Sequence, residues 1–165
     1  MFGAGRILKT LITVLVVAAV FSPGRSARAG SEINLSKGQT VYVAVYSHIY
    51  CGDREQPFDL AVTLSIRNTD LTRSIFINTV DYYDSKGNLV KKYLSGPVEL
   101  PALGSVRYII KESDRTGGSG ANFIVKWTAD HPVNVPLIES VMIGAQTQQG
   151  ISFTSRGQVI EERSE

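Results

Sequence analysis

The chain is poor in the residues that do covalent chemistry. Across 165 residues there is a single cysteine, Cys51, so no disulfide framework is available, since one needs at least a pair. His48 and His131 are the only imidazoles. Any nucleophile activated by a base, and any histidine-rich metal site, must use one of them. No Gly-x-Ser-x-Gly elbow appears, which removes the usual signal of an α/β hydrolase. No amphipathic stripe of helical period runs beyond two turns, and there is no internal repeat, low-complexity segment or Lys/Arg cluster. The missing cluster removes the electrostatic footprint of a nucleic-acid binder and of a protein that clings to anionic lipid.

The N-terminus departs from this plainness. Arg6 and Lys9 precede an apolar run over residues 11–21, and Ala27-Arg28-Ala29 places small residues where a signal peptidase reads. The run is about half of the ~20 residues a helix needs to cross a bilayer. The pattern therefore predicts a signal peptide over residues 1–29, cleavage after Ala29, and an exported protein, periplasmic or secreted, with no stable membrane anchor after cleavage. No cysteine near the cleavage position offers a site for lipidation. Loss of Arg6, Lys9, Arg25 and Arg28 leaves 13 basic residues against 15 acidic ones and moves the net charge from +2 to −2. The remaining 136 residues suit one domain large enough to be stable without disulfides or metal.

Beyond a polar leader segment, residues 30–39, the sequence reads in period two. Leu60, Val62, Leu64 and Ile66 alternate with Ala61, Thr63, Ser65 and Arg67, which puts one face in a core and the other in water. Residues 41–46 and 74–83 read as flanking strands. Asp84-Ser85-Lys86-Gly87 supplies a turn in which Gly87 takes positive φ, and residues 89–94 return from it. Pro101 cannot donate to a central ladder, so residues 98–105 form an edge or a switch between sheets. Further strands are expected at 106–110, 123–127, 137–143 and 151–154. About seven to eight short strands predict an all-β fold, a single immunoglobulin-like β-sandwich over residues 40–157, followed by a charged, frayed tail over 158–165. The Cys-Trp-Cys signature of true immunoglobulin domains is absent, because Trp127 has no cysteine pair around it.

Three segments carry chemistry-bearing side chains. Tyr46-Ser47-His48-Ile49-Tyr50-Cys51-Gly52-Asp53-Arg54 gathers an imidazole, a thiol, a carboxylate and a guanidinium at a strand end. A metal-binding, redox-active or enzymatic site at His48, Cys51 and Asp53 is one reading. A strand end with a satisfied histidine and a small apolar cysteine is the other. Cys51, unpaired in an oxidising compartment, is also a candidate for an intermolecular disulfide. Residues 111–122 hold Asp114, Arg115, three glycines and Asn122. Such a loop either turns backbone amides toward an anion or is a long hairpin loop capped by Asp114 or Asn122. It re-enters a strand instead of a helix, unlike a phosphate-binding loop. Around Ser152, Arg156 is free to pair a carboxylate such as Asp53 or Asp114. The tyrosines 42, 46, 50, 82 and 83 and Trp127 offer a stacking platform or, more simply, strand packing.

Val45-Tyr46-Ser47-His48-Ile49-Tyr50, Leu64-Ser65-Ile66-Arg67-Asn68-Thr69, Val80-Asp81-Tyr82-Tyr83, Gly117-Gly118-Ser119-Gly120-Ala121-Asn122-Phe123 and Gly150-Ile151-Ser152-Phe153-Thr154-Ser155-Arg156-Gly157 together resemble an uncharacterised bacterial domain family of short exported proteins, a domain of unknown function. The resemblance covers nearly all of the chain after residue 29. It implies a β-rich exported domain and brings no activity, cofactor or catalytic residue with it; Cys51 stands outside the pattern.

These readings converge on a non-enzymatic binding or interaction module of the cell envelope, with another envelope protein or a small ligand as partner and no nucleic acid. The candidate binding surface is His48, Tyr50, Asp53, Arg54, Asp114, Arg115, Asn122 and Arg156. No cofactor and no metal ligand set is assigned.

Overall fold

Alternation at every second residue dominates the chain after its leader, and strands are what it builds. The computed structural model describes residues 34–146 and 149–163. The expected signal peptide, residues 1–29, lies outside the described residues. Among those described there is no helix, and so none long and apolar enough to cross a membrane. The strands are β1 (Leu35–Ala44), β2 (His48–Cys51), β3 (Gln56–Asp59), β4 (Ala61–Arg67), β5 (Ile75–Tyr83), β6 (Leu89–Lys92), β7 (Val98–Leu100), β8 (Ser105–Ile110), β9 (Asn122–Asn134), β10 (Leu137–Gln146), β11 (Gln149–Arg156) and β12 (Gln158–Glu162).

The first sheet runs β12-β1-β9-β5-β6, with β7 on the same side of β5 as β6; the second runs β11-β10-β4-β8. Their inner faces meet in one core. Val41 and Val43, Ile75, Ile77 and Tyr82, and Phe123, Val125 and Trp127 pack from the first sheet; Val62, Leu64, Ile66, Ile110, Ile138 and Met142 pack from the second. Each fully buried aliphatic of β4 contributes roughly 1.5–3 kcal/mol by leaving water. The architecture is the expected all-β sandwich. The immunoglobulin-like variant is a narrower expectation, and a chain with one cysteine has no inter-sheet disulfide to mark it.

The flanks of the sandwich are stitched by strands that change sheet. On one side the chain leaves β7 of the first sheet, turns at Pro101 and Gly104, where the Gly104 amide donates to Pro101 O at 2.9 Å, and enters β8 of the second. The proline-punctuated crossing is thus both an edge and a switch. On the other side β11 passes through Gly157, whose amide donates to Ile138 O at 2.8 Å, into β12 of the first sheet. The turn after β5 forms as expected: Gly87 has φ +81°, and Asp84 Oδ1 accepts the amides of Lys86 and Asn88 at 2.8 Å each.

Two expectations are corrected. The polar leader, 30–39, contains the start of β1, because Leu35 and Ser36 pair with Asn134 and Val133. The tail, 158–165, is not frayed over 158–162. It forms β12 against β1, and its acids are held there: Thr40 Oγ1 donates to Glu161 Oε2 at 2.9 Å, and Gln39 Nε2 to Glu162 Oε1 at 2.6 Å. Asp130-His131-Pro132 lies within the long strand β9, at the irregularity between Gly38↔Thr128 and Ser36↔Val133, where a residue without an amide hydrogen is tolerated.

Candidate binding site

The short hairpin of β2 and β3 is a separate two-stranded sheet at one end of the sandwich. Alternation within it decides which side chains reach solvent. Ile49 and Phe58 are cross-strand partners; Phe58 is buried in the core and Ile49 packs against it. His48 and Tyr50 take the other face, with rings 5.2 Å apart and edge to face, and His48 Nε2 lies 3.2 Å from the Tyr50 hydroxyl. The hairpin base crosses β10 at Gly144, where a Cβ would stand 2.5 Å from both Asp59 O and Phe58 Cε1. A side chain at this position would push the hairpin off the sandwich.

Asp59, opposite His48 in register, is the anchor of the site. Arg115 reaches it from the 111–121 loop with two parallel bonds, Nε to Oδ1 at 2.6 Å and Nη2 to Oδ2 at 2.5 Å. A planar guanidinium facing a planar carboxylate is the geometry that fixes both partners in orientation. The bond from Arg115 holds the Asp59 carboxyl below its ordinary range, with a smaller contribution from His48, and Asp59 in turn raises Arg115. Asp114 aims that arginine: its Oδ1 accepts the Thr116 amide at 3.0 Å and the Thr116 hydroxyl at 2.5 Å, closing a turn around residue 115.

The glycines that follow are consumed by packing and backbone bonds, so the anion-cradle reading of this loop is corrected. Gly117 lies on the Tyr82 ring, where a Cβ would be 1.8 Å from the phenol oxygen. Ser85 donates its amide and its hydroxyl to Gly117 O, each at 2.9 Å, and accepts the Gly120 amide at 2.9 Å. Gly118 donates to Arg115 O and accepts the Ser47 amide and hydroxyl, each at 3.1 Å. Burial, with Asp114 adding to it, pushes the Tyr82 phenol up.

Ser47 and His48 superficially resemble a nucleophile and its base, with Oγ and Nδ1 3.2 Å apart. Ser47 is fully buried, and its hydroxyl also lies within donating distance of Gly118 O, at 3.1 Å, so the carbonyl competes with the imidazole for its one proton; the tautomer of His48 sets the direction of the Ser47–His48 contact. His48 and Cys51 stand an odd number of residues apart in one strand and so point to opposite faces of the hairpin. Among the described residues no group of three or more His, Cys, Asp or Glu is placed to hold a metal ion.

The first segment therefore meets both of the others: the loop through Arg115–Asp59, Ser47–Gly118 and Val45 N to Ala121 O at 3.0 Å, and β11 through the edge-to-face rings of Tyr46 and Phe153, 5.7 Å apart. Asp53 and Arg54 occupy the exposed hairpin tip. Asn122 opens β9 between Ala44 and Tyr83. Arg156 is not brought to Asp53 or Asp114; it lies on β11 with Glu139 as its cross-strand neighbour. Asp59 is not singled out by the sequence, and Ser47 and Ser85, which lie in the first segment and in the predicted turn, give no sign there of their part in the site. Only separations of 56, 71 and 32 residues link them to the loop, and no local pattern signals such contacts. A groove of about 330 Å³ lies apart from the site, walled by Thr40, Asn78, Lys126, Thr128 and Glu161, and it includes none of the candidate residues.

A stapled all-β sandwich with a projecting, ion-paired hairpin is the class these observations define. The chain belongs to the family described as protein of unknown function (DUF3124), which it matches over residues 38–160. No curated protein matches it. It is similar to a solved Thermotoga maritima protein, titled "Crystal Structure of Thermotoga maritima 1070", at 10% identity over 76% of this chain and 97% of that one, with a TM-score of 0.46.

Proposed function

We propose that the protein is a non-enzymatic binding module of the bacterial cell envelope, exported by the signal peptide of residues 1–29 and presenting the β2–β3 hairpin to another envelope protein or a small ligand. What carries the reading is the contrast within the hairpin end. The side chains with chemical potential are spent on one another: Ser47 on Gly118, His48 on Ser47 and Tyr50, Asp59 on Arg115. Around them Tyr50, at 55% exposure, and the tip residues Cys51, Asp53 and Arg54 face solvent on a strand pair held rigid from behind. A surface residue set on a preorganised support loses little entropy when a partner binds, which favours recognition.

The test couples capture to that surface. The protein as isolated from expressing cells, immobilised and washed with envelope extract or a ligand library, is expected to retain a partner that a Tyr50→Ala/Asp53→Ala variant with unchanged circular dichroism releases. Capture that survives the double variant removes the hairpin from the reading. A mass spectrum of the isolated protein starting at Met1 removes the export.

A further inference from the structure

We propose that the two free edges of the first sheet, β12 and β6, are complementary halves of a head-to-tail contact between copies of this chain, with β12 of one copy adding to β6 of the next. Among the described residues each of these strands pairs on one side only, β12 with β1 and β6 with β5. Each therefore leaves a row of backbone amides and carbonyls without a strand partner.

The chemistry of the two edges is matched in order. Along β6 an apolar pair, Leu89 and Val90, exposed at 45% and 38%, precedes Lys91 and Lys92; along β12 an apolar pair, Val159 and Ile160, exposed at 40% and 55%, precedes Glu161 and Glu162. Direction agrees with order. Every neighbouring pair from β12 through β1, β9 and β5 to β6 is antiparallel, so the two edges run the same way. A second copy shifted sideways in the plane of the sheet meets the first with parallel strands, apolar pair beside apolar pair and lysines beside glutamates.

The faces agree as well. Lys91 lies opposite Tyr82, whose ring is in the core, and Lys92 opposite Asp81 on the outer face. Glu162 lies opposite Gln39 on the core side, and Glu161 opposite Thr40 on the outer side. Each face of the joined sheet receives one lysine and one glutamate. Symmetric alternatives are disfavoured by the same charges, since β6 against β6 gathers four lysines and β12 against β12 four glutamates. Bulges at Tyr82/Tyr83 and Thr40/Val41 shorten the usable edges, so the contact is weak and concentration-dependent. A lateral contact of this kind leaves both ends open and propagates rather than closing on itself.

Sedimentation equilibrium of the protein as isolated from expressing cells tests it. The weight-average mass is expected to rise continuously with concentration at low salt, with no plateau at the dimer, and to fall back as salt shortens the screening length from ~10 Å toward ~3 Å. Lys91→Glu/Lys92→Glu, which makes both edges acidic, and Glu161→Lys/Glu162→Lys, which makes both basic, are each expected to remain monomeric alone. Mixed one to one, they are expected to associate again, a result that damage to either fold would not produce. A monomeric parent at every concentration, variants that still self-associate, or a mixture that stays monomeric overturns the proposal. The hairpin reading is untouched by any of these outcomes, because neither strand contributes to the hairpin.

Discussion

Gly117 and Tyr82 show how closely single residues are fitted at the hairpin end. The Tyr82 oxygen is buried against the Gly117 backbone without a well-formed hydrogen bond. A buried hydroxyl without a partner costs stability, so Tyr82→Phe is expected to be neutral or to stabilise by up to about 1 kcal/mol. Gly117→Ala drives a methyl onto the phenol oxygen and is expected to cost about 1–3 kcal/mol. The double variant should recover part of that loss, because the closest clash, 1.8 Å, is with the atom the phenylalanine lacks. Urea denaturation of the four proteins measures the coupling, and strictly additive losses would place the strain elsewhere. At the sheet switch Leu103 sits at φ +58° with 66% of its surface exposed. Asparagine tolerates that conformation better than leucine, so Leu103→Asn should raise stability by roughly 0.5–1 kcal/mol in the same assay.

Elements differ in how far their own sequence foretells them. In β4 each buried residue is followed by a partly exposed one, and that two-sided environment is what alternation encodes. β12 is exposed at all five positions, so no periodicity distinguishes it from a tail; its strand character comes from pairing with β1. β2 and β3 are four residues each, too short for a period to register. The same limit governs the site: Arg115, Asp114 and His48 stand out as a dense polar set, whereas Asp59 looks like any residue beside a strand until the fold brings Arg115 to it. The loop's order likewise depends on a distant element. Ser85→Ala removes the hydroxyl that donates to Gly117 O and accepts the Gly120 amide, and is expected to cost about 1–2 kcal/mol. Hydrogen exchange should then quicken at Gly120 while the amides of β4 keep their protection; unchanged exchange at Gly120 would mean that the loop is held without this clamp.

Across the whole molecule, three half-buried aspartates hold loops and turns between the strands, and all three carry lowered carboxyl values. Asp59 is lowered chiefly by Arg115, at the hairpin end. Asp70 is lowered first by the Thr72 amide and then by the Asn134 amide, the second joining the β4–β5 loop to the far end of β9. Asp84 is lowered first by the Asn88 side chain, within the β5–β6 turn. A carboxyl whose folded value is depressed stabilises the protein above the ordinary value of 3.8, and that contribution disappears as pH falls through the lower folded value. These three groups therefore contribute no pH dependence between ~pH 7 and ~pH 5, where they are ionised in both states, and a progressive loss below ~pH 4. Urea midpoints measured across that range should stay level and then decline for the parent protein. Asp59→Asn, Asp70→Asn and Asp84→Asn should each lower the neutral midpoint and flatten part of the acid decline, because an amide cannot be protonated there. Parental slopes in all three variants would show that acid sensitivity arises from other carboxylates, and that these loop ties do not hold the sandwich ends together through charge.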